Sequence, residues 1–142
     1  MIASRPFQAG DLDGLHRPGD AVPQMSVLLV RHGSFVRTLT DDAGTVLAVF
    51  GLVMRWEGVA DAWAVVGDAA RGRGVSLTRK ARALLRQFAS ELELRRVGIA
   101  TQARIDEYCR WAELVGFGFE GVEERAAPDG GDIIRYRWFP DG

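Results

Sequence analysis

Cysteine is almost absent from this chain, and so are the features that mark a disulfide-stapled, metal-clustered or membrane-spanning protein. Cys109 is the only cysteine, so neither a disulfide nor a thiolate metal cluster can form within one chain. No apolar run approaches the roughly 20 residues that a helix needs to cross a bilayer. The opening MIASRPFQAGDLDGL also lacks the charged region and apolar block of a signal peptide. We therefore expect a cytoplasmic protein with no membrane partner and no bound metal.

An overall excess of one charge sign is lacking as well. The 142 residues have a formal net charge of −1, which argues against general nucleic-acid binding. Hydrophobic residues make up 47% and charged residues 26%, so the composition favours a single compact domain over residues 1–142. The charge is uneven, because the stretch from Arg71 to Arg86 contains six basic residues and no acidic one. This local excess suits an anionic ligand, although a solvated helix face gives the same pattern.

The order of apolar patterns along the chain predicts a sheet with two long helices. Runs of β-branched and aromatic residues between Gly-containing turns indicate strands, and apolar residues at helical spacing indicate helices. A strand, a helix and another strand in succession imply one parallel pair. The predicted class is α+β and sandwich-like, with a mixed, mostly antiparallel sheet of about six to seven strands and helices on both faces. The predicted strands are 2–7, 35–40, 45–54, 61–67, 96–101, 119–125 and 133–139, and the helices are 75–94 and 104–115. A brief helix capped by Asp11 is also expected from Asp11 to Leu15.

The loop from Arg71 to Ser76 is the most informative segment, because it leaves a predicted strand and enters a predicted helix. The first turn of a helix has unpaired N–H donors and the positive end of the helix dipole, so a pyrophosphate is stabilised there. Gly72 and Gly74 allow close approach of the backbone, and Arg71 and Arg73 add charge-assisted donors. An exposed Gly-rich connector would look the same. The loop lacks the Gly-Lys-Ser/Thr ending of a P-loop and the third glycine of a dinucleotide fingerprint.

The run WAVVGDAARGRGVSLTRKARALL resembles the acyl-coenzyme A motif of the GNAT superfamily of N-acyltransferases. That motif has Arg or Gln, two residues, Gly, one residue, then Gly or Ala, and Arg71, Gly74 and Ser76 take those places here. Ser76 departs from the usual Gly or Ala, and its hydroxymethyl group narrows the room beside the phosphates. The run AELVGFGFEGV resembles the family's helix end, and RPFQAGDLDGL resembles a common family opening. The resemblance covers about Ile2 to Phe139.

Two details are similar to short GNAT-type proteins of tailed phages and prophages. A tryptophan in the buried strand, here Trp63, precedes the arginine-rich loop. The pair Arg110-Trp111 comes shortly before Gly116-Phe117.

The resemblance implies an acyl-CoA cosubstrate, acetyl-CoA above all, held by Arg71, Gly72, Arg73, Gly74, Val75 and Ser76. The thioester is expected between the strands 61–67 and 96–101, where the N–H of Val65 or Val66 acts as oxyanion donor. An acceptor amine, on a small molecule or a protein, then attacks directly without a metal.

The catalytic groups depart from the family pattern. Ala112 stands where many members have a tyrosine that protonates the departing thiolate. Tyr108, one helical turn earlier, is the candidate substitute, and its alternative interpretation is a partly buried core residue. The family's frequent asparagine near the start of this helix is Ile105 here.

The sequence contains more than one candidate for the general base. Glu57 and Asp61 are candidates, although each fits an ordinary surface charge. Either His16 or His32 could titrate near neutral pH, but nothing in the sequence places it beside the thioester. The four tryptophans are interpreted as core or pocket walls: Trp56, Trp63, Trp111 and Trp138.

Two functions follow from this pattern. The first is an acetyl-CoA-dependent N-acyltransferase, and the alternative is a catalytically silent GNAT-like module that serves as a CoA-binding or phage accessory protein. A third interpretation is a plain α+β binding domain with a solvated arginine face. It does not explain why the loop, the helix and the Gly-Phe ending all resemble the same family. The run Ile133 to Phe139 reads as a long, exposed outer strand, so a homodimer that buries part of it is expected.

Overall fold

A computed structural model describes residues 1–13, 15 and 35–141. They form seven β-strands, a short 3₁₀ helix and two α-helices. The elements in chain order are β1 (Ala3–Pro6), β2 (Phe35–Thr40), β3 (Val46–Trp56), β4 (Val59–Val66), the 3₁₀ helix (Asp68–Ala70), α1 (Gly74–Glu91), β5 (Arg96–Gln102), α2 (Asp106–Val115), β6 (Gly118–Glu123) and β7 (Ile133–Trp138). Each predicted strand and both long helices are present, with ends within a few residues of those expected.

The strands form one sheet in the order β1-β2-β3-β4-β5-β7-β6. The pairs β1–β2, β2–β3, β5–β7 and β6–β7 are antiparallel, and β4 with β5 is parallel. The parallel pairing joins Val59–Asp61 to Arg96–Gly98, and α1 is the crossover between the two strands. The predicted α+β class, with a mixed, mostly antiparallel sheet, is confirmed.

The chain forms two compact units. The first comprises Met1–Met54 and Ala62–Lys80, and the second comprises Arg55–Asp61 and Ala81–Gly142. The single domain expected from length and composition stays a prediction. In the first unit a buried cluster consists of Leu15, Val49, Trp63 and Val65, with partly buried Phe7, Leu12, Val36, Val46 and Val53 packed against it.

Asp11 ties together the amino-terminal part of the first unit. Its carboxylate accepts hydrogen bonds from both Nη atoms of Arg5 at 2.8 Å, from the Gln8 N–H at 2.7 Å and from the Thr38 hydroxyl at 2.7 Å. The hydrogen bonds from the Arg5 side chain are the main reason that the pKa of Asp11 is lowered to about 2. The expected helix from Asp11 to Leu15 is wrong in the residues described, which form turns, because the carboxylate bonds backward to Gln8 instead of capping forward.

In the second unit α2 ends as predicted. Gly116 has φ of +118° and its N–H donates to the carbonyls of Ala112 and Glu113, which is the left-handed helix ending that glycine favours. Ala112 and Val115 are buried, together with the neighbouring strand residues Val97, Ile99, Tyr136 and Trp138. These strand residues are cross-strand partners, Val97 with Trp138 and Ile99 with Tyr136.

The prediction that Ile133 to Phe139 forms an outer strand is wrong. β7 lies between β5 and β6, and β6 is the edge of the sheet. The exposed apolar side chains at this edge are Phe119 and Val122, whereas Tyr136 of β7 is buried.

The tryptophans divide between core and surface. Trp63 and Trp138 are buried, as predicted, and Trp111 is partly buried. Trp56 is 59% exposed and lies beneath the guanidinium of Arg55, 5.0 Å from the ring centre, so it is not a core residue, and its interpretation as a pocket wall stays a prediction. It ends β3 beside the turn into β4, where the strand has left the buried part of the sheet.

Candidate functional site

The segment between β4 and α1 is a tight, hydrogen-bonded loop. The Arg71 N–H donates to the Asp68 carbonyl at 3.1 Å, and the Arg73 N–H donates to the Ala70 carbonyl at 3.0 Å. Between them Gly72 has φ of +77°, which glycine adopts at little cost. The predicted passage from strand to loop to helix is therefore confirmed, with a 3₁₀ turn that the sequence analysis missed.

The first turn of α1 presents backbone donors that the helix itself does not use. The Leu77 N–H donates to the Arg73 carbonyl at 2.9 Å, so this is the first bond of the helix. The N–H groups of Gly74, Val75 and Ser76 therefore precede any carbonyl that the helix can offer them. All three residues are exposed. Backbone donors at the positive end of a helix dipole form a site suited to an anion.

Gly74 occupies a position where the fold has no need of glycine. A Cβ built there would have no atom within 4 Å, and the backbone is helical without a positive φ. Alanine favours a helix more than glycine does. Packing within the described residues thus gives no reason for a glycine here, and the role of Gly74 in binding a ligand stays a prediction.

Arg71 and Arg73 add positive charge beside these donors. Both side chains are exposed, and neither forms an ion pair with another residue in the described ranges. After Asp68 no carboxylate occurs in the sequence before Glu91. Among the described residues, the charges of Arg71 and Arg73 are therefore not paired with a carboxylate.

The end of β4 distinguishes between the two candidate oxyanion donors. The Gly67 N–H donates to the Leu47 carbonyl of β3 at 2.9 Å. Successive N–H groups of an extended strand point to opposite edges, so the Val65 N–H faces the β3 edge and the Val66 N–H faces away from it. Val65 is also buried in the apolar cluster. The geometry therefore favours Val66 over Val65 for this role, and the role itself stays a prediction.

Asp61 lies within a group of arginine side chains in the second unit. Its Oδ2 is 3.6 Å from Nε of Arg55, and its Oδ1 is 3.9 Å from Nη2 of Arg135. A Cβ at position 98 would lie 2.8 Å from Asp61 Oδ1, so the carboxylate covers Gly98, and Oδ1 is buried without a hydrogen bond. Two guanidinium groups thus already face the carboxylate, and its role as general base stays a prediction.

Glu57 is placed differently. It lies exposed at the turn between β3 and β4, and its carbonyl accepts a hydrogen bond from Arg95 Nη1 at 3.3 Å. Its carboxylate is accessible to solvent, which a general base needs, and this candidate also stays a prediction.

The two helix positions considered for the proton donor differ in exposure. Ala112 is completely buried, whereas Tyr108, in the first turn of α2, is 36% exposed. The interpretation of Tyr108 as a core residue is therefore the weaker one, because the side chain is accessible to solvent. Its catalytic role stays a prediction.

Four polar residues that are far apart in sequence lie in two close pairs in the structure, and their proximity was not predicted from sequence. The buried Tyr136 hydroxyl donates to Glu113 Oε1 at 3.3 Å, and the Cys109 sulfur lies 3.3 Å from the Thr101 hydroxyl. Burial, with Cys109 and Glu113 nearby, raises the pKa of Tyr136 to about 12. The alternation of Ile134, Tyr136 and Trp138 was a signal for one buried face of this strand.

Other predicted features have no structural test here. His16 and His32 lie outside the described residues. Within residues 1–13, 15 and 35–141, no group of three or more His, Cys, Asp or Glu side chains is placed to hold a metal ion. In the same part of the chain no helix is long and apolar enough to cross a membrane.

Solved structures of acetyltransferases share this architecture over nearly the whole chain. A GNAT-family acetyltransferase from Bacillus anthracis matches with a TM-score of 0.77 at 15% identity, covering 99% of this chain and 96% of that one. A mutant of spermidine N-acetyltransferase SpeG from Vibrio cholerae matches with a TM-score of 0.71 at 18% identity, covering 98% of this chain and 95% of that one. Ribosomal-protein-S5-alanine acetyltransferase from Vibrio fischeri matches with a TM-score of 0.73 at 13% identity, covering 99% of this chain and 93% of that one.

The chain therefore has the GNAT fold, in agreement with the resemblance drawn from its sequence. No protein-family model matches the sequence, and no curated protein matches it. At these identities the likeness defines the fold, and a fold does not by itself determine an activity.

Proposed function

We propose that this chain is an acyl-CoA-dependent N-acyltransferase, with acetyl-CoA as donor and an amine of a small molecule or protein as acceptor. The observation that supports the proposal most is Gly74, a helical glycine whose Cβ position is open and whose N–H begins a row of three donors that the helix itself does not use. The similar structures named above support it at the level of fold, since they are structures of acetyltransferases.

The loop suits the pyrophosphate of CoA. The N–H groups of Gly74, Val75 and Ser76 converge at the helix end, and Arg71 and Arg73 provide two flexible cations beside them. The thioester supplies an activated acyl carbon, and the residues around it position the reactants, stabilise the oxyanion and move protons.

The remaining roles are proposals that the family resemblance supports. The Val66 N–H, which points away from β3, donates to the developing oxyanion. Glu57 or Asp61 accepts the proton of the attacking amine, and the exposed Tyr108 donates a proton to the leaving thiolate.

A specific observation favours a second candidate function, the catalytically silent CoA-binding or accessory module. Ala112 is fully buried at the position where the family resemblance implies a tyrosine, so no proton donor occupies that place. In this alternative the loop binds CoA, and no acyl group is transferred.

Binding is the first test. Isothermal calorimetry with acetyl-CoA should show saturable binding to the wild-type chain. Arg71→Ala and Gly74→Asp should weaken that binding at least about tenfold, because each removes or blocks a pyrophosphate contact. Arg86→Ala is the matched control, an exposed arginine on the same helix, and should bind normally. Absence of binding at about millimolar acetyl-CoA would overturn both functions.

Turnover is the second test. Release of free CoA thiol, measured with a panel of amines and proteins, separates the enzyme from the silent module. Thiol release that requires an added amine and is lost in Arg71→Ala supports the transferase. Binding without thiol release for any acceptor favours the silent module.

A homodimer remains part of the proposal, with a different edge from the one first expected. Because β6 ends the sheet and exposes Phe119 and Val122, this strand is the place where a second copy would pair. Light scattering should give a dimer that Val122→Lys disrupts, and a monomeric wild-type chain at high concentration would contradict it.

A further inference from the structure

The face of the sheet opposite α2 is open in the second unit. The Tyr136 hydroxyl bonds to Glu113 of α2, so this helix lies against the face of β7 to which Tyr136 points. Side chains alternate along a strand, so Arg135 points to the opposite face. Its cross-strand partner Ala100 points the same way, and this alanine is exposed although it lies in the interior strand β5. A ligand can therefore reach this side of the sheet, which we call the open face.

Asp61 and two arginines form a loose ionic group on the open face. Nε of Arg55 is 3.6 Å from Asp61 Oδ2, and Nη2 of Arg135 is 3.9 Å from Oδ1. Both distances are too long for hydrogen bonds, and within the described residues neither guanidinium donates one. The neighbouring ion pair differs, because Arg96 donates both Nη atoms to Glu120. The donors of Arg55 and Arg135 are thus not used by the carboxylate that they face.

The two oxygens of Asp61 are placed differently. Oδ1 is buried without a hydrogen bond above Gly98, where the missing side chain leaves room for it. The Asp61 side chain as a whole is 38% exposed, so Oδ2 is the oxygen that a ligand reaches. A buried acceptor without a partner costs stability, and such groups are rare in folded proteins. Within the described residues the open face therefore holds an acceptor that lacks a donor, directly beside two guanidinium groups whose donors are unused.

The balance of charge on the open face disfavours a purely cationic ligand. Besides the pair of Arg96 with Glu120, three arginines face two carboxylates: Arg55, Arg135 and Arg137 against Asp61 and Glu123. The excess is one positive charge. An amine attacks a thioester in its neutral form, so an acceptor that also has one carboxylate reacts as an anion. That anion complements the open face, whereas a polyamine would be repelled by it.

We propose, resting on the proposed transferase function, that the acceptor is a small molecule with a carboxylate next to its amine, as in an α-amino acid. Asp61 Oδ2 accepts a hydrogen bond from the amine, and Arg135 binds the carboxylate with paired, charge-assisted hydrogen bonds. One carbon atom separates the two groups of such a ligand, which suits the 3.9 Å between the Asp61 carboxylate and the Arg135 guanidinium. Asp61 is also the last residue of β4 that pairs with β5, at the start of the segment where the thioester is expected.

The transfer step is balanced by one proton. The amine nitrogen bonds to the acyl carbon, the carbon–sulfur bond breaks, and the proton that the nitrogen loses replaces the acyl group on sulfur. Arg135 takes no part in these bond changes and acts as a specificity-determining residue. Its loss should therefore raise KM for the acceptor and leave kcat nearly unchanged.

The test compares free amino acids with their α-amides, which keep the amine and the side chain but lack the carboxylate charge. Calorimetry with the wild-type chain saturated with CoA should find at least one amino acid that binds at least about tenfold more tightly than its amide. The same amino acid should release thiol from acetyl-CoA with a lower KM than its amide.

The variants assign this preference to one side chain. Arg135→Gln should abolish the preference by weakening only the free acid, and Arg135→Lys should restore part of it. Arg110→Gln is the matched control, an exposed arginine on α2 against the other face of the sheet, and it should keep the full preference. Thermal unfolding without ligand should be alike in all four proteins, because the ion pairs of Arg135 are long and partly exposed.

The outcomes separate this inference from the proposed function. Thiol release that is equal for acids, amides and spermidine, or that Arg135→Gln does not change, overturns the inference and leaves the transferase intact. An equal loss in Arg135→Gln and Arg110→Gln also overturns it, since the effect would then come from general charge. Acetyl-CoA binding without binding of any amino acid overturns it too. Preferential amino-acid binding without thiol release overturns the acceptor role and favours the silent module. If acetyl-CoA does not bind, the proposed function fails and the inference fails with it.

Discussion

Gly74→Ala separates the requirements of the fold from those of the ligand. The new Cβ would meet no atom within 4 Å, and the helical backbone at this position accepts alanine without strain. Alanine exceeds glycine in helix propensity by up to about 1 kcal/mol in a helix interior, and by less in the first turn. The unliganded variant should therefore be as stable as the wild-type chain or slightly more stable, with a melting temperature raised by at most about 4 °C.

Binding should change in the opposite direction. A methyl group at position 74 would stand above the row of donors formed by Gly74, Val75 and Ser76 and would hold the pyrophosphate away from them. Loss or lengthening of one or two charge-assisted hydrogen bonds costs about 1.5–3 kcal/mol, which corresponds to a fall in acetyl-CoA affinity of about 10- to 150-fold. The assay combines denaturant unfolding of the free protein with calorimetry of acetyl-CoA binding.

Gly121→Ala is the control for this experiment. Gly121 lies in β6, its Cβ position is also open, and its φ is not positive. This variant should bind acetyl-CoA as the wild-type chain does. Undiminished binding by Gly74→Ala would refute the reasoning, as would a loss of stability of more than about 1 kcal/mol, since the fold itself would then require the glycine.

Three further predictions concern titratable groups. The pKa of Asp11 is lowered from 3.8 to about 2 in the folded protein. The ionised carboxylate therefore stabilises the fold by about 2 kcal/mol above pH 4, and this stabilisation is lost as the pH falls through 2. Urea unfolding should show this pH dependence, and Asp11→Asn should lack it. Of the two tyrosines, Tyr136 should titrate by ultraviolet absorbance near pH 12, and Tyr136→Phe should remove that step; a transition complete by pH 11 would contradict it. Tyr108→Phe should lower kcat about 100-fold with little change in KM. An unchanged kcat would exclude Tyr108 as the proton donor.

The elements of the fold were predictable because their signals are local. The alternating and continuous apolar runs defined the strands, and the stripe from Leu77 to Phe88 defined α1. Gly116 marked the end of α2 for an equally local reason, a left-handed backbone that suits glycine.

The order of strands at the carboxy-terminal edge was not predictable in this way. Two strands joined by a turn pair with each other in either arrangement, and sequence alone does not say which of them also pairs with β5. The pairing of Thr101 with Ile134 and of Ile99 with Tyr136 places β7 inside the sheet. The polar group of Tyr136, Glu113 and Cys109 depends on this pairing, so it was missed for the same reason.

The loop between β4 and α1 could be predicted from sequence because its residues are consecutive, whereas the surroundings of the candidate acid and base could not. Asp61 and Glu57 are four residues apart in sequence, yet one faces two guanidinium groups and the other lies in solvent. That difference comes from Arg55, near the end of the preceding strand β3, and from Arg135, far along the chain in β7. Only the folded arrangement distinguishes a carboxylate engaged by ion pairs from one that is exposed to solvent.

The strongest argument for a ligand at the loop is that its residues suit the fold poorly. Natural sequences mostly agree with their local structure, and the exceptions gather at functional sites. Gly74 lowers helix propensity where alanine would fit, and arginines surround the positive end of α1 without an acidic residue in its first turn. Each choice costs stability in the free protein. The anionic ligand proposed above would offset both costs, and no feature of packing within the described residues accounts for either.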